Sequence, residues 1–358
     1  MPHSGTRLLF PRGSGALSKK YHEPWRNSIT NFQIIPFLQD KVWIVVIYTV
    51  TLNTAIDRVI YIDGILSRKK NNKVKRTFYD IGGKATHVSV VLSRLRIPNI
   101  ATGFVGEKNK EKLMQLLEEK GVACDFIAQA DCPTRETLVI LDDSGEGSFM
   151  ITEKGFSVHG DTLEKLKRKL SEMVTEDDFA VFAGSLPPGL DGDQYRELLQ
   201  AAAEKGGKLI LDATGAQLRS AIRLKPYAIK PNEDEFQELV GKRLNAPDEY
   251  ASEIKKLLQA GIEYVIVTLG KKGSLVGHGD EVYRVLPPKV KEVNDTGCGD
   301  VFVGGFVAGL HRRFPLEKMI RFATALSASK AEQPESSAFS PERAEQLEGE
   351  VVIQRLPA

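Results

Sequence analysis

The 358-residue chain is poor in cysteine, with only Cys124, Cys132 and Cys298, far apart in sequence. Three such residues cannot build a disulfide framework. They point to a reducing compartment, so the expected setting is the cytoplasm. No Cys-x-x-Cys pair occurs and the six histidines are scattered, so zinc-ligand spacing is lacking. An excess of one charge is lacking too: 49 Lys and Arg against 47 Asp and Glu leave a net charge of +2. A general nucleic-acid binder would carry a basic surplus on one face. The longest apolar run, Val42 to Leu52 (VWIVVIYTVTL), falls well short of the roughly 20 residues of a membrane span. Its β-branched and aromatic residues read as a buried strand. There is no G-x-x-x-x-G-K-[ST] loop, and no G-x-G-x-x-G fingerprint opens at the first strand. With nucleic acid and membrane set aside, the expected partner is a small molecule.

The first forty residues carry Gly5, Pro11, Gly13, Gly15, Pro24 and Pro36 without a sustained period. They lack the roughly 7–15-residue apolar core of a signal peptide. Residues 1–43 are therefore expected to be a disordered extension, with Trp25, Phe32 and Phe37 among the few side chains able to dock. The working chain is expected to start near Val45, and residues 44–358 to form one domain. Within it, Val59–Ile62 with Val74–Tyr79 and Glu136–Leu141 with Ser148–Thr152 read as two hairpins, the second around the turn Asp142-Asp143-Ser144-Gly145. Helices are expected at Ala85–Leu95, Lys108–Lys120 and from an Asp161 N-cap to Val174. A single strand is expected over Val122–Ile127. From Phe179 onward strands and helices alternate, and the strands are continuously apolar. This pattern predicts an α/β fold with a doubly wound, mostly parallel sheet flanked by helices. Such sheets bind ligands at the carboxyl ends of their strands. The last fifteen residues show little pattern.

The motifs fall at those strand ends. Asn294-Asp295-Thr296-Gly297-Cys298-Gly299-Asp300 runs into the apolar stretch VFVGGFVAGL. Two glycines free the backbone, and a helix N-terminus there offers amides and positive partial charge to an anion. Asp300 in the first turn can take a proton from an attacking hydroxyl while the amides stabilise a transferring phosphoryl group. The plainer alternative is a glycine-rich turn with Asp300 as a cap. In Lys230-Pro231-Asn232-Glu233-Asp234-Glu235, Asn232 and Glu235 share a helix face and suit a hydrated Mg²⁺, or else form an ordinary capping box. Gly82-Gly83-Lys84 before a helix reads as a second anion site, with Lys84 as its point charge. Arg135 before a strand can fork onto a phosphate or simply be solvated. Asp57, just past the first strand, can accept from sugar hydroxyls. Thr268-Leu269-Gly270-Lys271-Lys272-Gly273 can line a nucleotide or form a tight hairpin turn.

Taken in order, these segments resemble the ribokinase-like (PfkB) carbohydrate kinases, and most closely the branch holding the 1-phosphofructokinases and tagatose-6-phosphate kinases. The matching stretches are TVTLNTAIDR, GGK with HVSVVLSRL, TRETLVIL, AGSLPPGL, LDATG, KPNEDEFQELVG, VTLGKKGSLV and NDTGCGD, from about Ile47 to Ala331. The resemblance implies a small β-sheet lid, with strands from about residues 57–80 and 135–152, and a homodimer through that lid. It implies transfer of phosphate from ATP, with Mg²⁺, to a sugar phosphate such as fructose 1-phosphate. It also implies roles: Asp300 as base, with Gly297, Cys298 and Gly299 as anion hole; Asp57, Gly83, Lys84 and Arg135 on the sugar phosphate. Lys230, Thr268, Gly270 and Gly273 fall to ATP, and Asn232 and Glu235 to the metal.

There are three departures from the family pattern; the first two touch the sugar side and the third is minor. GGKG(I/L)N becomes Gly82-Gly83-Lys84-Ala85-Thr86-His87, where His87 replaces an asparagine that contacts sugar hydroxyls. T-E-(I)-N-E-x-G becomes Thr152-Glu153-Lys154-Gly155-Phe156-Ser157. The proline of Asn-Pro-Ala-Ile-Asp becomes Thr54. A sugar-phosphate-binding protein with little turnover is the competing expectation, and the retained Asp300 with its glycines argues against it.

Overall fold

The computed structural model describes residues 45–145 and 147–357. The expected extension, residues 1–43, lies outside them. In chain order the elements are β1 (Ile47–Thr51), β2 (Ala55–Ile62), β3 (Val74–Gly82), α1 (Lys84–Arg94), β4 (Asn99–Gly106), α2 (Lys110–Glu119), β5 (Ala123–Cys124), β6 (Ile127–Gln129), β7 (Arg135–Leu141) and β8 (Ser148–Thr152). Then come α3 (Gly160–Met173), β9 (Phe179–Ala183), α4 (Gly192–Ala203), β10 (Lys208–Asp212), α5 (Gly215–Ala221), β11 (Ala228–Ile229), α6 (Glu233–Val240) and α7 (Pro247–Gln259). The chain ends with β12 (Tyr264–Thr268), β13 (Ser274–His278), β14 (Glu281–Leu286), α8 (Cys298–His311), α9 (Leu316–Ala331), α10 (Pro341–Glu348) and β15 (Val352–Arg355).

Eleven strands form the main sheet in the order β15-β14-β13-β12-β11-β10-β9-β1-β4-β5, with β6 also on β4. Pairing is parallel from β5 to β12 and antiparallel from β12 to β15. The continuous apolar runs follow from burial on both faces. Along each strand, alternate side chains enter opposite cores: Tyr48, Val50, Ala180 and Phe182 pack towards α3, α4 and α7, and Ile47, Phe179 and Val181 towards α1, α8 and α9. The two expected hairpins are present as β2–β3 and β7–β8, and parallel pairing of β2 with β7 joins them into a separate four-stranded sheet, β3-β2-β7-β8.

Several expectations are refined. The stretch Val122–Ile127 is two short strands, interrupted where Asp125 turns to bond Ala101 and Thr102. Helix α3 starts two residues earlier, with His159 rather than Asp161 as N-cap and Asp161 in its first turn. Helix α5 fills an interval with too few residues for a clear period. The chain end is ordered: α10 is capped by Ser340 and carries buried Ala344 and Leu347, and β15 adds an edge strand. Asp57, expected just past the first strand, lies within β2, the strand that follows.

Helix α8 is buried nearly all round, so its hydrophobic stripe has no solvent side. Its glycines let α1 and α9 approach closely. A methyl on Gly304 would stand 2.5 Å from Val91 Cγ1, and one on Gly305 would stand 2.9 Å from Ala323 Cα. Alanine is the better helix former by about 1 kcal/mol, but forcing a methyl into a packed seam costs about 1–3 kcal/mol. Gly304→Ala is therefore expected to lower the urea midpoint at unchanged slope. A raised midpoint would show that the α1–α8 seam has room.

Candidate active site

The loop before α8 is built by its own side chains. Asn294 Oδ1 accepts the Thr296 amide at 3.0 Å, and Asn294 Nδ2 donates to the Pro334 carbonyl at 2.7 Å. Gly297 has φ +85°, and a Cβ there would lie 1.9 Å from the Ser336 carbonyl oxygen, so only glycine fits. Behind the loop, Lys330 is fully buried and donates to the carbonyls of Asn294 at 2.8 Å and Gln333 at 3.2 Å. Burial pulls its pKa down, opposed by the nearby Cys298, Asp295, Glu335 and Asp300.

The amide of Cys298 turns back onto the Asp295 carbonyl at 3.1 Å, so it is engaged inside the loop. The donors left for an anion are the first-turn amides of Gly299 and Asp300, which have no intrahelical partner. Burial pushes the Cys298 thiol up to about 11, and it stays protonated at neutral pH.

Asp300 is buried, and its Oδ2 lies 2.7 Å from His87 Nδ1. The other ring nitrogen, Nε2, lies 3.2 Å from the Ile81 carbonyl oxygen at the end of β3. His87, noted in the sequence only as a departure on the sugar side, is thus the direct partner of the expected base. Asp57 on β2 is also buried and stands opposite Asp80 of β3. Burial raises its pKa to about 6; the charges of His87 and Arg135 and a bond from Thr137 oppose the rise, and Asp80 adds to it.

A second cluster lies at the carboxyl ends of β10, β11 and β12. Asp212, almost wholly buried, is approached by Lys84 at 3.3 Å and by Lys230 at 3.2 Å. Burial works to raise the Asp212 pKa, but the two ammonium groups outweigh it and hold the carboxyl low. Lys84 opens α1, and its pKa is raised, chiefly by Asp212, with Asp300 and Glu235 adding. The site thereby joins the N-termini of α1 and α8. Gly299 faces Lys230: a Cβ there would lie 3.5 Å from its Nζ. Asn232 and Glu235 form the capping box of α6, each side chain accepting the other's amide at 2.9 Å. Thr268 ends β12 beside them, its amide on the Pro231 carbonyl at 3.0 Å. Gly270 and Gly273 both have positive φ in the turn that leads to β13.

Arg135 opens β7 and donates to the Asn53 carbonyl through Nε at 3.3 Å and Nη2 at 3.1 Å, and to the Glu153 carbonyl through Nη1 at 3.1 Å. Three of its five N–H donors therefore fix the junction between the two sheets. Gly83, the N-cap of α1, stands against Thr51 and Thr86. Between the small sheet and the loop behind Gly297 runs a narrow cleft lined by Asp57, Asp80, Tyr61, Phe78 and Ser336. A separate hollow of about 370 Å³ beside α2, lined by Met114 and Phe126, holds none of these residues.

Sequence reasoning missed three members. Asp212 carried its signal at a strand's carboxyl end, within LDATG. His87 carried it as an unexpected titratable group in the first turn of a helix. Lys330 carried none, since a lysine in an amphipathic helix reads as solvated. The assembled arrangement pairs a buried carboxylate with a helix N-terminus and two lysines, the equipment for moving an anionic group onto a hydroxyl.

The chain matches the family model described as pfkB family carbohydrate kinase over residues 49–343. It is 31% identical over 314 residues to 1-phosphofructokinase of Bacillus subtilis (strain 168), covering 87% of this chain and 100% of that protein. It is 30% identical over 304 residues to a tagatose-6-phosphate kinase of Staphylococcus epidermidis, covering 84% of this chain and 97% of that one. Among solved structures, it matches phosphofructokinase-2 from Escherichia coli in complex with fructose-6-phosphate with a TM-score of 0.79 at 25% identity, covering 86% of this chain and 99% of that one.

Burial of Asp57 gives a pH-dependent stability. The folded carboxyl titrates near 6 and its ordinary value is 3.8, so the neutral form is favoured in the fold. Stability from this group is full below pH 4 and lost as pH rises through 6. Asp57→Asn should therefore be the more stable protein above pH 6, by up to about 3 kcal/mol. That advantage should vanish as the pH falls to 4 in thermal melts. A gap independent of pH would mean the carboxyl titrates alike folded and unfolded.

Proposed function

Because the chain belongs to the pfkB family of carbohydrate kinases, we propose that it is a 1-phosphofructokinase, which converts fructose 1-phosphate and ATP to fructose 1,6-bisphosphate and ADP. The observation that carries this reading is Asp300 in the first turn of α8, beside Lys84 and the Asp212–Lys230 pair. In the reaction, the acceptor hydroxyl oxygen bonds to the γ-phosphorus while the bond to the ADP oxygen breaks. Asp300 receives the hydroxyl proton through Oδ1. The Gly299 and Asp300 amides and the positive end of α8 meet the charge on the moving group, and Gly297 and Cys298 shape the loop that aims them.

Lys84 and Lys230 offset phosphate charge. Thr268, Gly270 and Gly273, at the end of β12, line the nucleotide. On the sugar side stand Asp57, Gly83 and Arg135, whose two remaining N–H donors suit a phosphate. Asn232 and Glu235 each keep oxygen lone pairs beyond the capping box, and hard oxygen donors fit a Mg²⁺ that retains its waters. When bound, that ion neutralises phosphate charge. The three free thiols agree with a cytoplasmic setting. Tagatose 6-phosphate is the second acceptor to consider, on the 30% identity to its kinase.

The small sheet acts as lid and dimer surface in this reading. Val74, Tyr79, Phe149, Met150 and Ile151 expose large apolar side chains on it, more than an isolated face keeps in water. Light scattering on the full chain is expected to give a dimer, and Ile151→Asp a monomer. A parent protein that is monomeric at micromolar concentration would remove the lid contact.

ADP release measured over fructose 1-phosphate, fructose 6-phosphate and tagatose 6-phosphate tests the reaction. The highest kcat/KM is expected with fructose 1-phosphate. Asp300→Asn should lower kcat by about 10²–10⁴-fold while ATP still binds. Undiminished turnover in that variant would take Asp300 out of the chemistry, and binding without turnover in the parent would favour a sugar-phosphate-binding protein.

A further inference from the structure

We propose that His87 is a positioning residue of the transfer step, whose doubly protonated ring grips one oxygen of Asp300 and leaves the other for the acceptor hydroxyl. The inference deepens the kinase reading and rests on it for its kinetic consequence, though not for the state of the ring. Its ground is geometric. The Ile81 carbonyl, 3.2 Å from Nε2, can only accept, so Nε2 bears hydrogen. An ionised Asp300 also only accepts, so at 2.7 Å Nδ1 bears hydrogen as well. Two acceptors on one ring call for the imidazolium.

The side chains of the pair are only 8% and 9% exposed, and the partners of both ring nitrogens are protein oxygens. The charged groups acting on the ring are Asp300 from α8 and Asp57 from β2; Asp80 of β3 acts on Asp57, and Lys84 of the same helix is turned to Asp212. Burial pushes the ring towards neutrality, but the bond and charge of Asp300, with Asp57 and the Ile81 carbonyl, outweigh it and hold the pKa at about 9. Both ring nitrogens are thus engaged within the protein, so His87 does not take over the sugar contact implied for asparagine at this position.

The consequence for the reaction is specific. The acceptor's proton goes to Asp300 Oδ1 as the new O–P bond forms and the bond to ADP breaks, its electron pair leaving with ADP. His87 keeps its Nδ1 proton on Oδ2 throughout. When rising pH discharges the ring, one nitrogen is left with a lone pair facing an acceptor, and the charge-assisted grip on Oδ2 weakens to a neutral contact.

The test compares the full-length parent with His87→Asn, whose amide can donate to Oδ2 but does not titrate. Plots of kcat against pH from 6 to 10 are expected to show a fall near pH 9 in the parent. That fall should be absent in His87→Asn, with the KM for ATP unmoved. Superimposable profiles would overturn the proposal. Two-bond ¹H–¹⁵N spectra of the histidine rings provide a readout that needs no turnover. The His87 signal, identified by its loss in His87→Asn, should report both nitrogens protonated at pH 8. In Asp300→Asn it should titrate at least tenfold more readily, by one pH unit or more. A neutral ring at pH 7.5 would overturn the proposal even if no sugar phosphate is turned over. Absence of turnover with an imidazolium present would instead refute the kinase reading alone.

Discussion

Burying negative charge beside a helix N-terminus is the constraint on which this molecule turns. Asp57, Asp212 and Asp300 are all less than a tenth exposed, and an ionised carboxylate cannot stay in such a place without compensation. Each finds it differently. Asp212 takes two ammonium groups. Asp300 takes an imidazole and the partial charge of α8. Asp57 has less, and its carboxyl is pushed towards the neutral form. These compensations link the site's members: Lys84 serves Asp212 while feeling Asp300, and His87 serves Asp300 while feeling Asp57.

The scaffold holds that network because the site stands where parallel strands end. Strands β10, β11 and β12 deliver Asp212, Lys230 and Thr268 to one edge by their register alone. Helices α1 and α8 pack on the opposite face of the sheet from α3, α4 and α7, and their close seam brings Lys84, His87 and Asp300 to the same edge. Lys330 ties the loop before α8 to the segment that follows α9. A buried lysine there is costly by itself, and two backbone carbonyls stabilise it.

Much of the fold was legible in the chain, for physical reasons. Strands covered on both faces must be apolar throughout, so β1, β9, β10 and β12 stood out. Gly297 and Asp300 stood out because a glycine pair before a long apolar helix marks a tight turn into a helix N-terminus with unpaired amides. Edge and end elements were less legible: β15 is mostly exposed, and α5 is two turns long, so neither carries a periodic signal. Asn232 and Glu235 were readable as both a capping box and a metal pair, and the fold realises the first of these directly.

Local sequence determined the elements, the glycine-bearing loop and the kinase-like order of motifs, because propensity, periodicity and backbone freedom act over a few residues. Tertiary structure alone decided that His87 faces Asp300 across 213 positions, that Asp212 receives lysines from two separate segments, and that Lys330 is buried behind the loop. Those pairings depend on where distant elements meet and how little water remains there, and both are properties of the packed chain.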